Sequence, residues 1–112
     1  MTGITNATIS FLRPDKTAPT IVYNSILSGV GAYVHSASDS VISQYAMRGL
    51  SVGFRIIIED QIGAIAGAGV QVGDVAQDAT GTTYIIHGLK SVRNPFLMSE
   101  MQYKLDCEQR AI

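Results

Sequence analysis

Val70-Gln71-Val72-Gly73-Asp74-Val75-Ala76-Gln77-Asp78-Ala79-Thr80-Gly81-Thr82-Thr83-Tyr84-Ile85-Ile86-His87-Gly88-Leu89 is the stretch that decides the fold. Two β-prone runs, 70–76 and 83–89, flank a polar loop, 77–82. A short Gly-containing loop between such runs predicts a β-hairpin, with Gly81 free to take a positive φ. Gly73-Asp74, inside the first run, predicts a bend or bulge, since glycine packs nothing and tolerates a kink. Tyr84 is the second residue of the second run. The hairpin is a frame and carries no obvious chemistry.

Working outward, the same period of two recurs. Residues 7–13 set Ala7, Ile9 and Phe11 against Thr8, Ser10 and Leu12, a first strand. Pro14-Asp15-Lys16 and Pro19 predict a turn after it. Residues 20–28, with Ile21, Val22, Ile26 and Leu27, read as a short strand or a packed loop. Residues 29–35 predict a second strand with Val30, Ala32 and Val34 inward. Residues 51–59 alternate strongly, with Val52, Phe54, Ile56 and Ile58 on one side. Ile57 on the other side implies that this second face is partly covered too. Residues 60–69 form a Gly/Ala-rich connector, and Asn94-Pro95 marks a turn. The last run, 101–108, opposes Met101, Tyr103, Leu105 and Cys107 to Gln102, Lys104, Asp106 and Glu108. That pattern predicts one buried face and one wet face.

Residues 36–49 break the alternation. Ser38 or Asp39 can cap a short helix in which Val41, Ile42 and Tyr45 share a face. Arg48 falls in its last turn and Gly49 just beyond, which are end signals. The sum is about six short strands with one helical or loop insertion between the second and third. The expected fold is one mainly β domain, a small antiparallel barrel or sandwich.

At 112 residues the chain can bury a real core without staples. Hydrophobic residues make up 46% and charged residues 15%, which excludes a disordered chain. So little charge leaves scant polar covering for a lone monomer and points to a subunit that shares surface with neighbours. A net charge of -1 argues against an electrostatic nucleic-acid binder. Residues 1–55 hold four basic and two acidic groups, and residues 56–112 four basic and seven acidic ones. That asymmetry favours head-to-tail packing of identical copies. The single cysteine, Cys107, excludes an internal disulfide and fits a reducing cytoplasm. No signal peptide or membrane-length apolar run is read from the sequence.

Candidate chemistry is thin. Gly63, Gly67 and Gly69 superficially resemble a phosphate loop, yet neither the dinucleotide spacing nor a following Lys-Ser/Thr is present, so a flexible connector is expected. His35, His87 and Cys107 lack metal-ligand spacing and a nucleophile turn, and are expected to pack. Glu59, Asp60, Asp74 and Asp78 lack the calcium-loop spacing, so turn and surface roles are expected. Tyr33, Tyr84 and Tyr103 lie on strands, where an oligonucleotide-binding barrel places its stacking platform, but few basic residues interleave with them. No catalytic constellation, cofactor motif or metal site stands, and an enzyme has the least support.

With the strands placed, the chain resembles the head-closure or stopper family of tailed-bacteriophage head-tail connector proteins. Ala32-Tyr33-Val34-His35-Ser36-Ala37-Ser38 is similar to that family's second strand running into a polar helical segment. Residues 51–58 resemble its third strand. Val72-Gly73-Asp74, followed by Gly81-Thr82-Thr83-Tyr84-Ile85-Ile86, resembles its hairpin. The likeness runs from about Ile9 to Glu108 and departs at residues 63–69 and 94–99. It implies a virion protein of the phage neck, a small β-barrel assembled as a hexameric or dodecameric ring. Such a ring docks on the portal/adaptor protein after genome packaging, closes the DNA channel and offers an attachment surface to a tail terminator or tail tube protein. The family's segment between strands two and three projects into the channel. Here that segment is 36–50, with Ser43, Gln44, Tyr45, Met47 and Arg48 as the implied lining or gating residues, and Arg48 as a point contact to DNA phosphate without sequence preference. A tail-completion or tail-terminator protein of the same virion is the near alternative, and a small nucleic-acid-binding β-barrel the far one.

Overall fold

The computed structural model describes residues 5–17, 19–60, 64–93 and 101–111. Alternation does build the wall. The strands are β1 (Ala7–Asp15), β2 (Val22–Ser36), β3 (Phe54–Asp60), β4 (Val75–Asp78), β5 (Thr83–Arg93) and β6 (Met101–Gln109). Among the described residues two helices interrupt them, α1 (Asp39–Ala46) and α2 (Ala64–Ala68). All ladders are antiparallel, and the order β1-β2-β3-β6-β5-β4 closes when β4 pairs with β1 through Ile9↔Asp78 to Leu12↔Val75. Closure spares a small sheet the exposed edges that invite aggregation.

The inward positions are those that the period of two selects. Ile9 and Phe11 of β1, Ile56 and Ile58 of β3, Ile86 of β5, and Leu105 and Cys107 of β6 are all fully buried in one cluster. Each of these Ile, Leu and Phe side chains contributes on the order of 1.5–3 kcal/mol through burial. Ile65 of α2 and Val70 join the same cluster, so the short helix adds to the core. Phe54 meets Tyr84 edge-on, with ring centroids 5.5 Å apart. No helix among the described residues is long and apolar enough to cross a membrane.

Several expectations are corrected. The turn at Pro14 does not end β1, which runs on to Asp15 with Pro14 opposite Tyr23. Proline is tolerated there because β1 has lost its β4 neighbour beyond Leu12 and is an edge on that side. Residues 22–36 form one strand, and register shifts against β1 break the alternation that would have shown it. Residues 70–74 are not strand: Gly73 takes φ 97 in a turn that delays β4 to Val75. Residues 64–68, expected as flexible connector, are helical. Val52 leaves the barrel face for a second cluster with Ala37, Val41 and Tyr45. Asn94-Pro95 lies outside the described residues.

Candidate functional site

The insertion between β2 and β3 begins where Ser38 caps α1, its side chain accepting from the Val41 N–H at 3.4 Å, with Asp39 in the first turn. Val41 and Tyr45, four residues apart, turn inward. Ile42, expected on that face, is exposed, since it lies a further 100° or so around the helix. The helix closes at Met47, before Arg48. At the base of the insertion the Ala37 N–H donates to the Gly53 carbonyl at 3.0 Å, and the Gly53 N–H to that of Cys107 at 3.1 Å.

Asp106, assigned by alternation to the wet face of β6, is 0% exposed. It stands in a row across the outer wall, opposite Arg55 of β3 on one side and Gly88 of β5 on the other. Arg55 Nε donates to Asp106 Oδ1 at 2.7 Å, and the Tyr45 hydroxyl donates to Oδ2 at 2.7 Å. The phenol lies where a Gly88 side chain would be: a Cβ built there would stand 1.9 Å from the Tyr45 oxygen. A register shift between Ile86 and Gly88 brings glycine, not His87, into that row. Burial first, then the bond to Asp106, pushes the Tyr45 hydroxyl up to about 12. The Arg48 guanidinium lies 5.4 Å from the Tyr45 ring centroid.

The five insertion residues thus divide. Tyr45 is a buried anchor, while Ser43, Gln44, Met47 and Arg48 are exposed, Met47 at 88%. The sequence signals that betray Asp106 and Arg55 are an isolated glycine inside a strand, at Gly88, and a carboxylate between two core residues, Leu105 and Cys107.

The hairpin residues hold the frame. Asp74, expected at the surface, is buried: Arg13 grips both its oxygens, Nε to Oδ1 at 3.0 Å and Nη2 to Oδ2 at 2.9 Å. It also accepts from the Gln71 N–H. Gly81 takes φ 93 in a loop whose Asp78 carboxylate accepts from the Thr80 and Thr82 N–H groups. Those bonds, the Thr80 hydroxyl first, hold Asp78 below the usual carboxylate range. Tyr84 is core.

The remaining candidates are dispersed. His35 lies half-buried beside exposed Tyr33, ring centroids 5.3 Å apart, while Tyr84 and Tyr103 point into the barrel. The three tyrosines therefore share no platform. His87 Nε2 meets Glu108 Oε1 at 2.9 Å, and Cys107 is buried in the core. Among the described residues no three His, Cys, Asp or Glu side chains converge as metal ligands would. No protein-family model matches this sequence, and no curated protein matches it either.

Proposed function

We propose that the chain is a structural virion protein of a tailed-phage neck, of the head-closure or stopper kind. Copies form a ring between the portal/adaptor complex and the tail, close the DNA channel after packaging and present the surface on which the tail docks. The observation that carries this reading is the position of α1. It sits between β2 and β3 of a closed antiparallel barrel, is anchored to the outer wall and leaves Ser43, Gln44, Met47 and Arg48 in solvent. A ring multiplies each exposed side chain by its symmetry, so a short helix tip suffices to narrow a channel. Arg48 then meets DNA as a phosphate contact without sequence preference. Tyr45 has a different part, as the anchor that aims the tip.

Surface composition supports shared interfaces. Charged residues are only 15%, and Ile21, Val22, Tyr33 and Val72 expose large apolar area outside the barrel.

Light scattering on the purified chain tests assembly, with particles several times 12.0 kDa expected, alone or with the adaptor ring. DNA retention in filled, tailless heads tests closure. The combined substitution Gln44→Ala, Met47→Ala and Arg48→Ala leaves both partners of the Tyr45–Asp106 bond in place, and heads carrying it are expected to leak their genome. A strictly monomeric protein that binds oligonucleotides with a steep salt slope overturns the ring. Wild-type retention by the triple variant overturns the gate.

A further inference from the structure

We infer that residues 37–53 form a flap latched to the outer wall by Tyr45, able to open as a unit while the barrel stays folded. Two separate hydrophobic clusters make this division. The barrel core runs through β1 to β6, whereas Ala37, Val41, Tyr45 and Val52, with Leu50 against them, form a small cluster of their own. Lifting α1 therefore exposes no barrel core. The flap is hinged rather than severed, because the Ala37–Gly53 and Gly53–Cys107 backbone bonds close its base at the wall.

The latch is one side chain in a notch. Gly88 supplies the space, the Ile86/Gly88 register shift delivers that glycine beside Asp106, and Asp106 supplies the acceptor. When Tyr45 leaves, Asp106 keeps its bond from Arg55 and gains water, so the wall loses little. The flap loses much more. An eight-residue helix is far too short to persist without tertiary contact, and the turn beyond it hangs from Tyr45, whose carbonyl accepts from the Arg48 and Leu50 N–H groups. Release of the phenol thus frees Ser43, Gln44, Met47 and Arg48 together. The latch concerns the single chain alone; its use to move a gate rests on the neck reading.

Hydrogen exchange on the purified chain tests it. In Gly88→Ala the added methyl and the phenol cannot coexist, since the nearest approach would be 1.9 Å. The α1 amides of residues 42–47 are expected to exchange roughly 10- to 100-fold faster, as loss of a charge-assisted hydrogen bond implies. Amides of β3 and β6 keep their protection, and trypsin cuts after Arg48 sooner. Should Gly88→Ala prevent folding, Tyr45→Ala removes the phenol without loading the wall and carries the same expectation. Unchanged α1 exchange in the folded variant, or equal loss of protection in α1 and barrel, overturns the latch. Neither result touches ring formation or DNA retention, which test the neck reading separately.

Discussion

Arg13 and Asp74 lie 61 residues apart and meet as a two-pronged ion pair, with the carboxylate 1% exposed and the guanidinium also donating to the Gly69 carbonyl at 2.7 Å. The pair ties the far end of β1 to the turn that launches β4, where the β1–β4 ladder has already stopped at Leu12. It closes the barrel where backbone pairing no longer does. Asp74→Ala strips Arg13 of its carboxylate partner and the Gln71 N–H of its acceptor. The expected cost is about 1–3 kcal/mol in urea denaturation. Arg13→Ala added to that variant costs less than it does alone, because only the bond to the Gly69 carbonyl remains to be lost. A further large loss in the double variant would show that the two residues act independently.

The inner and outer faces of β3 give a second test. Ile56 is fully buried inside the barrel, and Ile57, next in sequence, lies half-buried outside, opposite Tyr33. Ile56→Ala is expected to cost about 2–5 kcal/mol by leaving a cavity, and Ile57→Ala less than about 1.5 kcal/mol. Equal losses measured by chemical denaturation would mean that the outer face is packed as tightly as the core.

Much of this wall could be read from the chain alone, because period-two alternation reports directly which side chains share a face. In β6 it assigned Tyr103, Leu105 and Cys107 inward correctly. It failed at Asp106 for a physical reason: alternation says which way a residue points and nothing about what covers it. The cover comes from Tyr45, 61 residues earlier. Residues 20–28 stayed ambiguous because bulges against β1 shift the alternation twice within one strand. Asp74 looked like a surface turn residue because its partner, Arg13, is distant in sequence. Long-range pairs of polar groups leave no local periodicity to read.

Tyr45 should betray its latch at alkaline pH. Burial and the bond to Asp106 raise its hydroxyl from the ordinary 10.0 to about 12, with Arg48 and Arg55 nearby opposing the rise. The neutral phenol is therefore favoured in the folded chain. Its contribution to stability is whole below about 10 and is lost as pH rises through about 12. Tyr45 should be among the last tyrosines to ionise in phenolate absorbance, with core Tyr84 also raised by burial, and α1 amide signals should fade as Tyr45 ionises. Tyr45→Phe should remove one late ionisation, leaving that of Tyr84, and cost about 1–3 kcal/mol at neutral pH. Loss of α1 well below pH 10 would assign the opening to another group.

At the acid end, Glu108 is the group to watch. The bond to His87 first, then Arg110 with Nη2 2.7 Å from Oε2, holds its carboxyl below the usual carboxylate range. A lowered folded value stabilises the protein above the unfolded pKa, and that gain is lost as pH falls through the folded one. Glu108→Gln should flatten the acid limb of the stability curve below about pH 4.5, measured by denaturation at successive pH values. An unchanged limb would place the acid sensitivity on other carboxylates, such as Asp78 with its loop bonds.

Cys107 offers a way to watch the two faces separately, because it sits on the inner side of β6 next to outward Asp106. Burial, and secondarily the neighbouring Asp106 charge, push its thiol well above the ordinary range, so the native thiolate is scarce. In the folded wild type, a water-soluble disulfide reagent should label Cys107 only at the rate set by global unfolding, and urea should speed both together. Gly88→Ala opens the outer flap and leaves the inner core closed. Its labelling rate should then rise only as far as its overall stability falls, while exchange in α1 rises much further. If flap opening and thiol labelling instead accelerate in step, the outer cluster and the barrel core are one cooperative unit. The independence on which the latch depends would then be lost.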